Sequence, residues 1–344
     1  MTGSLRRSRR LAALSLVLAL ALALSTPPPA AAAPKTLKFA TIVPDGSVWD
    51  REIKAMAAEV QRRTEGRVVL RIYPGGVSGD DPDNVRKMRI GQLHAAALTA
   101  TGLGEIDDGF QVFGMPRFYA SYEELFHVTK AIEPMLSRRL EEKGFVFLGW
   151  GHAGWVNLFS KKPVNTPADL QKLKLFAWAG DNQMVQWWKS HGYQPVPLAS
   201  TDIMTGLTTG MIEALPTTPL AALTLQWYRP TPYMLDLGVA PFVGAIVVSK
   251  KAWADIASAD QAVLRDAAKK LEQRLQQAIP VQDRKAVEEM TRRGLKVVKP
   301  QGAQLEAWNR AAGEFSASLR QTVVPPEVFD AAQKARDQYR AQHR

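Results

Sequence analysis

The sequence predicts an α/β protein of two lobes flanking a ligand cleft, braced by long helices towards the C-terminus. Three observations predict it. Residues 35–99 follow a β-α-β-α-β order, which implies a parallel sheet with right-handed crossovers. The pattern restarts after Pro163 as a second, smaller α/β unit. Residues 252–293 are rich in Ala, Gln and Arg and carry helical periodicity. The chain of 344 residues is long enough for about two domains. With 46% hydrophobic and 22% charged residues it holds ample core material, which excludes disorder as its main state.

The elements follow in order. Residues 35–42 alternate and read as a strand. Ser47 or Asp50 caps a helix through Arg62, with Ile53, Met56, Ala57 and Val60 at helical spacing; Thr64-Glu65-Gly66 ends it. Residues 67–73 are a strand, 81–90 a short helix and 93–99 a third strand. Residues 121–143 are helical and 144–150 form a buried strand. In the second half, 166–170 is a helical turn with Pro167 at its first position. Strand 173–178, a helix capped by Asp181 through Ser190, strand 194–198, helix 200–210 and segment 211–215 follow. Residues 245–249 return as a strand to the first lobe. Each lobe is expected to carry its own sheet, with chain crossings between them. Pro280 is placed to bend the last helix of 252–293. Residues 295–299 form a short strand, and 303–322 and 326–341 are helical.

Composition narrows the chemistry. There are no cysteines, which excludes disulfides, a thiol nucleophile and Cys-based metal sites. His94, His127, His152, His191 and His343 are scattered without HxxH or HExxH spacing, so neither a metal nor another cofactor is expected. The net charge is +11, spread in short mixed-sign clusters with no basic-aromatic motif, so nucleic acid is not an expected partner. Four of those charges, Arg6, Arg7, Arg9 and Arg10, precede an apolar run of 14 residues from Leu11 to Leu24 and the small-residue zone STPPPAAAA. This is the order of a secretory signal peptide, with cleavage fitting after Ala32. The run is too short for a transmembrane helix, which needs about 20 residues. The mature chain is expected outside the cytoplasm.

Several segments, in order, carry a resemblance. They are Arg63-Thr64-Glu65-Gly66-Arg67-Val68, Tyr73-Pro74-Gly75-Gly76, Gly114-Met115-Pro116, the run from Lys162 to Leu170, Leu173-Lys174-Leu175 and Thr208-Thr209-Gly210-Met211-Ile212-Glu213-Ala214. The chain resembles the extracytoplasmic solute receptors of tripartite ATP-independent periplasmic (TRAP) transporters. The resemblance spans essentially the whole mature chain and implies a periplasmic location and the two-lobe periplasmic binding protein fold. It implies residues 1–33 as leader, 34–155 with parts of 246–344 as lobe one, and 156–245 with a short contribution near 286–317 as lobe two. It further implies a small organic solute as ligand and the membrane permease subunits as partners. In most of the family the strand after the Lys162–Leu170 motif carries an arginine that clamps a ligand carboxylate; here that position is Phe176. The preceding stretch, Gly154-Trp155-Val156-Asn157, also lacks its frequent arginine. A bidentate guanidinium fork is geometrically specific, and Phe cannot imitate it. The ligand is therefore expected to carry an aromatic or apolar portion.

The candidate site residues follow from this. The resemblance puts Trp155, Phe176 and Trp178 at ligand-facing positions, within an aromatic-rich second lobe that includes Trp227. Asn157, Thr217 and Thr218 are neutral partners for a polar end; the two threonines are equally part of a rigid turn. Asp181 is either a helix cap or a polar contact at the cleft mouth. Thr99 and Thr101 end a strand at the crevice where open α/β sheets bind ligands. The turn with Gly76 lacks phosphate-loop spacing; it is either a tight connection or a backbone contact to ligand. Arg117 and Arg229 are either surface charges or substitutes for the missing clamp. Asp107 and Asp108 look like surface carboxylates in a loop. No GxSxG, SxxK or metal motif points to an enzyme. A receptor docking on a signalling protein is the alternative to transport.

Overall fold

The computed structural model describes residues 33–343; the segment read as a leader lies outside them, apart from Ala33. Strand β1 (Lys35–Thr41), helix α1 (Val48–Arg63), β2 (Val68–Tyr73), α2 (Asp81–Arg89) and β3 (Ala95–Thr99) build the first unit. β2, β1 and β3 lie side by side and parallel, as the β-α-β-α-β order requires. Ser47 sets the start of α1 by accepting the Asp50 N–H at 3.2 Å. Arg62 and Arg63 sit in its last turn, where the helix dipole favours cations. Its apolar stripe, Trp49, Ile53, Met56 and Val60, is buried in one cluster with Leu37 and Phe39 of β1.

A short helix α3 (Ala100–Gly104) and a 3-10 turn (Asp108–Gly114) precede α4 (Tyr122–Glu142). Asp107 corrects the surface reading. It is buried, accepts the Gly109 N–H, and pairs with Arg139 at 2.8 Å. The Asp-Asp-Gly run looks like open loop, but α4 lays Arg139 over it.

Next come β4 (Phe145–Ser160), α5 (Pro167–Leu170), β5 (Lys174–Trp178), α6 (Asn182–Ser190), β6 (Gln194–Leu198), a 3-10 turn (Ser200–Asp202), α7 (Ile203–Thr209), β7 (Ala214–Thr217), α8 (Pro219–Thr224) and β8 (Tyr233–Ser249). The expectation of two separate sheets is corrected here. β4 and β8, of 16 and 17 residues, pair antiparallel and run through both units. The strands therefore follow one hydrogen-bonded path, β2-β1-β3-β8-β4-β7-β5-β6, with β9 (Lys296–Val298) parallel to β8. Only 144–150 and 245–249 of the two long strands were legible because bulges interrupt the alternation. Register shifts fall at Phe147/Gly149, His152/Trp155 and Val156/Leu158.

After α9 (Lys250–Ala254), the 35-residue helix α10 (Ser258–Arg292) lies along β4 and packs on α1 and α8. Pro280 sits inside it without ending it. Leu264, Leu271, Leu275 and Ile279 join the core around α1, and Met290 joins the core of the second unit. The helix crosses β4 closely at Gly149, where a Cβ would stand 3.2 Å from the Ala268 carbonyl oxygen. Two of its carboxylates hold the bulged strand. Glu272 accepts the Trp150 N–H at 3.1 Å; Asp283 accepts those of Trp155 at 3.0 Å and Leu220 at 2.9 Å. Helices α11 (Ala303–Thr322) and α12 (Pro326–Gln342) follow, and Arg340 of α12 forks onto Glu124 of α4. No helix of the described residues is long and apolar enough to cross a membrane.

Candidate ligand-binding site

A cavity of ≈ 550 Å³ opens where the carboxyl ends of β1 and β3 meet the middle of β4 and β8 and the ends of β5 and β7. Open α/β sheets take ligands at such a crevice, and the volume suits a small organic molecule. Thr99 ends β3 on one wall. Its hydroxyl accepts the Gly102 N–H at 3.2 Å, capping α3, and donates to Asp81 Oδ2 at 2.7 Å. The Thr99 N–H donates to the same oxygen at 2.8 Å. Asp81 is fully enclosed, and burial pushes its carboxyl up to about 7.

On the opposite wall Phe176 and Trp178 project from β5. They are two residues apart and so share a face of the strand, with ring centroids 5.5 Å apart at 69°. Thr217 ends β7 opposite Asn157. Thr218 caps α8 by accepting the Ala221 N–H at 3.4 Å, so of this pair Thr217 is the one that caps no helix. Trp227 closes the same side.

His152 of β4 also belongs to the wall. Burial pushes its imidazole down to about 3, so the ring is neutral. Its carbonyl accepts the Trp49 indole N–H at 3.1 Å. Among the described residues no lysine, arginine, aspartate or glutamate lines the cavity. A carboxylate placed here meets no guanidinium.

The structure brings Thr99, Phe176, Trp178, Thr217, Thr218 and Trp227 together on the cavity wall. The other residues singled out in the sequence lie off it. The bulge at His152/Trp155 resets which face each following side chain takes. Trp155 packs edge-on against Tyr122, with centroids 5.3 Å apart. The Asn157 Oδ1 accepts the Gly238 N–H at 3.0 Å. Asp181 caps α6, accepting the Met184 N–H at 3.1 Å. Thr101 lies in the first turn of α3. Gly75 rather than Gly76 lines the cavity; a Cβ on Gly76, whose φ is 74°, would stand 3.0 Å from Thr201 Cγ2. Arg117 donates to the Leu237 carbonyl at 2.7 Å, and neither it nor Arg229 reaches the wall.

Sequence reasoning missed Trp49, Ile53, Leu271 and Leu275, which line the cavity from α1 and α10. An apolar helical stripe facing a cavity has the same spacing as one facing a core. It also missed a hydrogen bond that ties Ser200 of the cavity wall to the segment before α2. Asp80 Oδ1 accepts the Asp81 N–H at 2.9 Å, while Oδ2 reaches across to the Ser200 N–H at 2.8 Å. Beside it, a Cβ on Gly180 would stand 3.3 Å from Pro82 Cγ.

The model of bacterial extracellular solute-binding protein family 7 matches residues 39–321. A solute-binding protein of Chromohalobacter salexigens is 26% identical over 220 residues, covering 63% of this chain and 65% of that protein. One of Albidiferax ferrireducens is 30% identical over 186 residues, 54% of each. The chain thus spans between half and two thirds of the length of these two relatives. Among solved structures, the sugar acid binding protein of Advenella mimigardefordensis in complex with galactonate matches with a TM-score of 0.83 at 17% identity, over 89% of this chain and 98% of that one. Proteins of this family are solute-binding receptors rather than enzymes. The chain belongs to bacterial extracellular solute-binding protein family 7.

Proposed function

We propose that this receptor works in the periplasm, where it captures a small organic solute with an aromatic or apolar portion and delivers it to the permease subunits of a TRAP-type transporter. The observation that carries this reading is the uncharged wall, which includes Phe176, the residue expected from the family resemblance to replace a clamp arginine. A carboxylate buried there without a partner costs several kcal/mol, roughly. An apolar surface laid on Phe176, Trp178 and Trp227 instead gains about 25 cal/mol for each Å² removed from water. Thr217 is the group to hold a hydroxyl, carbonyl or amide of the solute, with Thr99 and Thr218 already engaged at helix ends. The leader-like N-terminal segment supports export. Closure takes place by a hinge in β4 and β8, near residues 152–157 and 238–243, where the strands leave their pairing with β3 and take up that with β7.

The test is a thermal-shift panel of neutral lipophiles, aromatic acids, amides and keto acids against succinate. Ligand at 100 times its dissociation constant stabilises the fold by about 2.7 kcal/mol. Stabilisation by apolar-bodied compounds and not by succinate is expected. Stabilisation by succinate alone overturns the reading.

A further inference from the structure

The cavity does not stop at the wall formed by Phe176, Trp178 and Thr217. It continues to Trp49 and Ile53 of α1 and to Leu271 and Leu275 of α10, which belong to the hydrophobic core of the first unit. On the sheet side of this arm Ile246 of β8 stands beside small residues: Ala97 of β3, Gly151 and Ala153 of β4, and Gly244 of β8. Sheet centres covered by helices are ordinarily filled with Val, Ile and Leu. Gly244 has a steric reason, because a Cβ there would stand 2.4 Å from the Leu98 carbonyl oxygen. Gly151 has none of that kind: its nearest neighbour would be 3.6 Å away, an ordinary contact. A side chain there would fill the space over the Gly244 backbone.

Packed cores hold few voids larger than a water molecule. At roughly 30 Å³ per water the whole cavity would take on the order of 18 molecules. The arm offers them few partners: its α1 and α10 side chains are apolar apart from the Trp49 indole N–H, which is spent on the His152 carbonyl at 3.1 Å, and the His152 ring, whose nitrogens have no partner, packs on Phe126 with centroids 4.9 Å apart. Such a space suits hydrocarbon.

We propose that this arm is a tail subsite and that the ligand is a chain-like amphiphile, its neutral head at Thr217 and its alkyl chain between α1 and α10. The inference rests on the reading of the wall as one for an apolar-bodied solute, and it adds shape to that chemistry: a chain rather than a compact ring.

The experiment measures binding of 1-alkanols from four to twelve carbons, of the compact 1-adamantanol, and of succinate, by calorimetry or by the change in tryptophan fluorescence. Each added methylene should tighten binding about fourfold until the arm is full. 1-Decanol should bind at least tenfold tighter than 1-adamantanol, which has the same carbon count. Ala97→Phe, which plugs the arm, should lower the chain length of tightest binding by several carbons; Leu275→Trp is the second plug. Should neither variant fold, the wild-type chain series decides. A flat response beyond six carbons, equal binding of 1-adamantanol, or an unshifted optimum in a folded plug variant overturns the tail subsite and leaves the apolar wall standing. Binding of succinate with no alkanol binding overturns both, as does binding of no probe at all.

Discussion

Replacing Phe176 by arginine puts a cation where the resemblance to the family leads one to expect a clamp arginine, so it tests whether that single position sets the ligand class. Phe176 is only 3% exposed and packs in a cluster with Ile203, Leu207, Leu215 and Trp227. Removing its buried ring forfeits about 1.5–3 kcal/mol of apolar burial, part of which the aliphatic stem of arginine recovers. The guanidinium finds no carboxylate among the described residues of the wall. A net loss of about 2–4 kcal/mol in stability is expected, which for a chain of this length lowers the melting temperature by roughly 3–6 °C. Losing one aromatic face should weaken 1-octanol binding about 5–30-fold, equivalent to about 1–2 kcal/mol. Succinate should gain measurable affinity through a bidentate pair. Phe176→Leu is the control: it keeps the wall uncharged, and its preference for 1-octanol over succinate should persist. Calorimetry with both probes on the three proteins decides. If Phe176→Arg keeps the wild-type ratio of octanol to succinate affinity, the reasoning from the missing clamp is wrong.

Further outcomes follow from other parts of the site. Thr217→Val removes a hydroxyl at nearly constant volume and should weaken 1-octanol binding by roughly 2–12-fold, the range for one neutral hydrogen bond; equal affinity of the two proteins in calorimetry removes Thr217 as the anchor. Asp80→Ala deletes the acceptor of the Ser200 N–H beside the cavity, so X-ray scattering should report a larger radius of gyration with ligand bound, and ligand release should be faster; an unchanged radius and off-rate would deny the bridge a part in closure. Asp81 has a carboxyl raised by burial from 3.8 to about 7, next to the charge of Asp80. The native state therefore holds more protons than the unfolded state between those values, and stability is lost as pH rises through that window. Asp81→Asn should gain in melting temperature relative to the wild type from pH 4 to pH 7; a difference that stays constant with pH counts against an enclosed, protonated Asp81.

How much was legible in the sequence depended on whether one periodicity governed a segment. The parallel unit β2-β1-β3, the capped helices at Ser47 and Asp181 and the turn at Thr166-Pro167 follow from local patterns that the tertiary structure leaves intact. β4 and β8 were seen only in part, since glycines and bulges interrupt their alternation, and with them went the continuity of the sheet. The same bulge at His152/Trp155 explains why Trp155 and Asn157 lie off the cavity while Phe176 and Trp178, on an unbulged strand, lie on it. Leu271 and Leu275 carried no local signal: only the path of α10 over β4 brings them to the site. Asp80 and Ser200, 120 positions apart, meet for the same kind of reason.

The most direct test of the central claim, that an uncharged wall selects an apolar-bodied solute, is native mass spectrometry of the receptor produced with its export segment and purified gently enough to retain ligand. The account predicts a bound mass that, once released and identified, is an organic molecule with a substantial hydrocarbon or aromatic portion and a neutral polar end. Recovery of a small dicarboxylate or a sugar acid as the retained ligand, held at one molecule per chain, would contradict it.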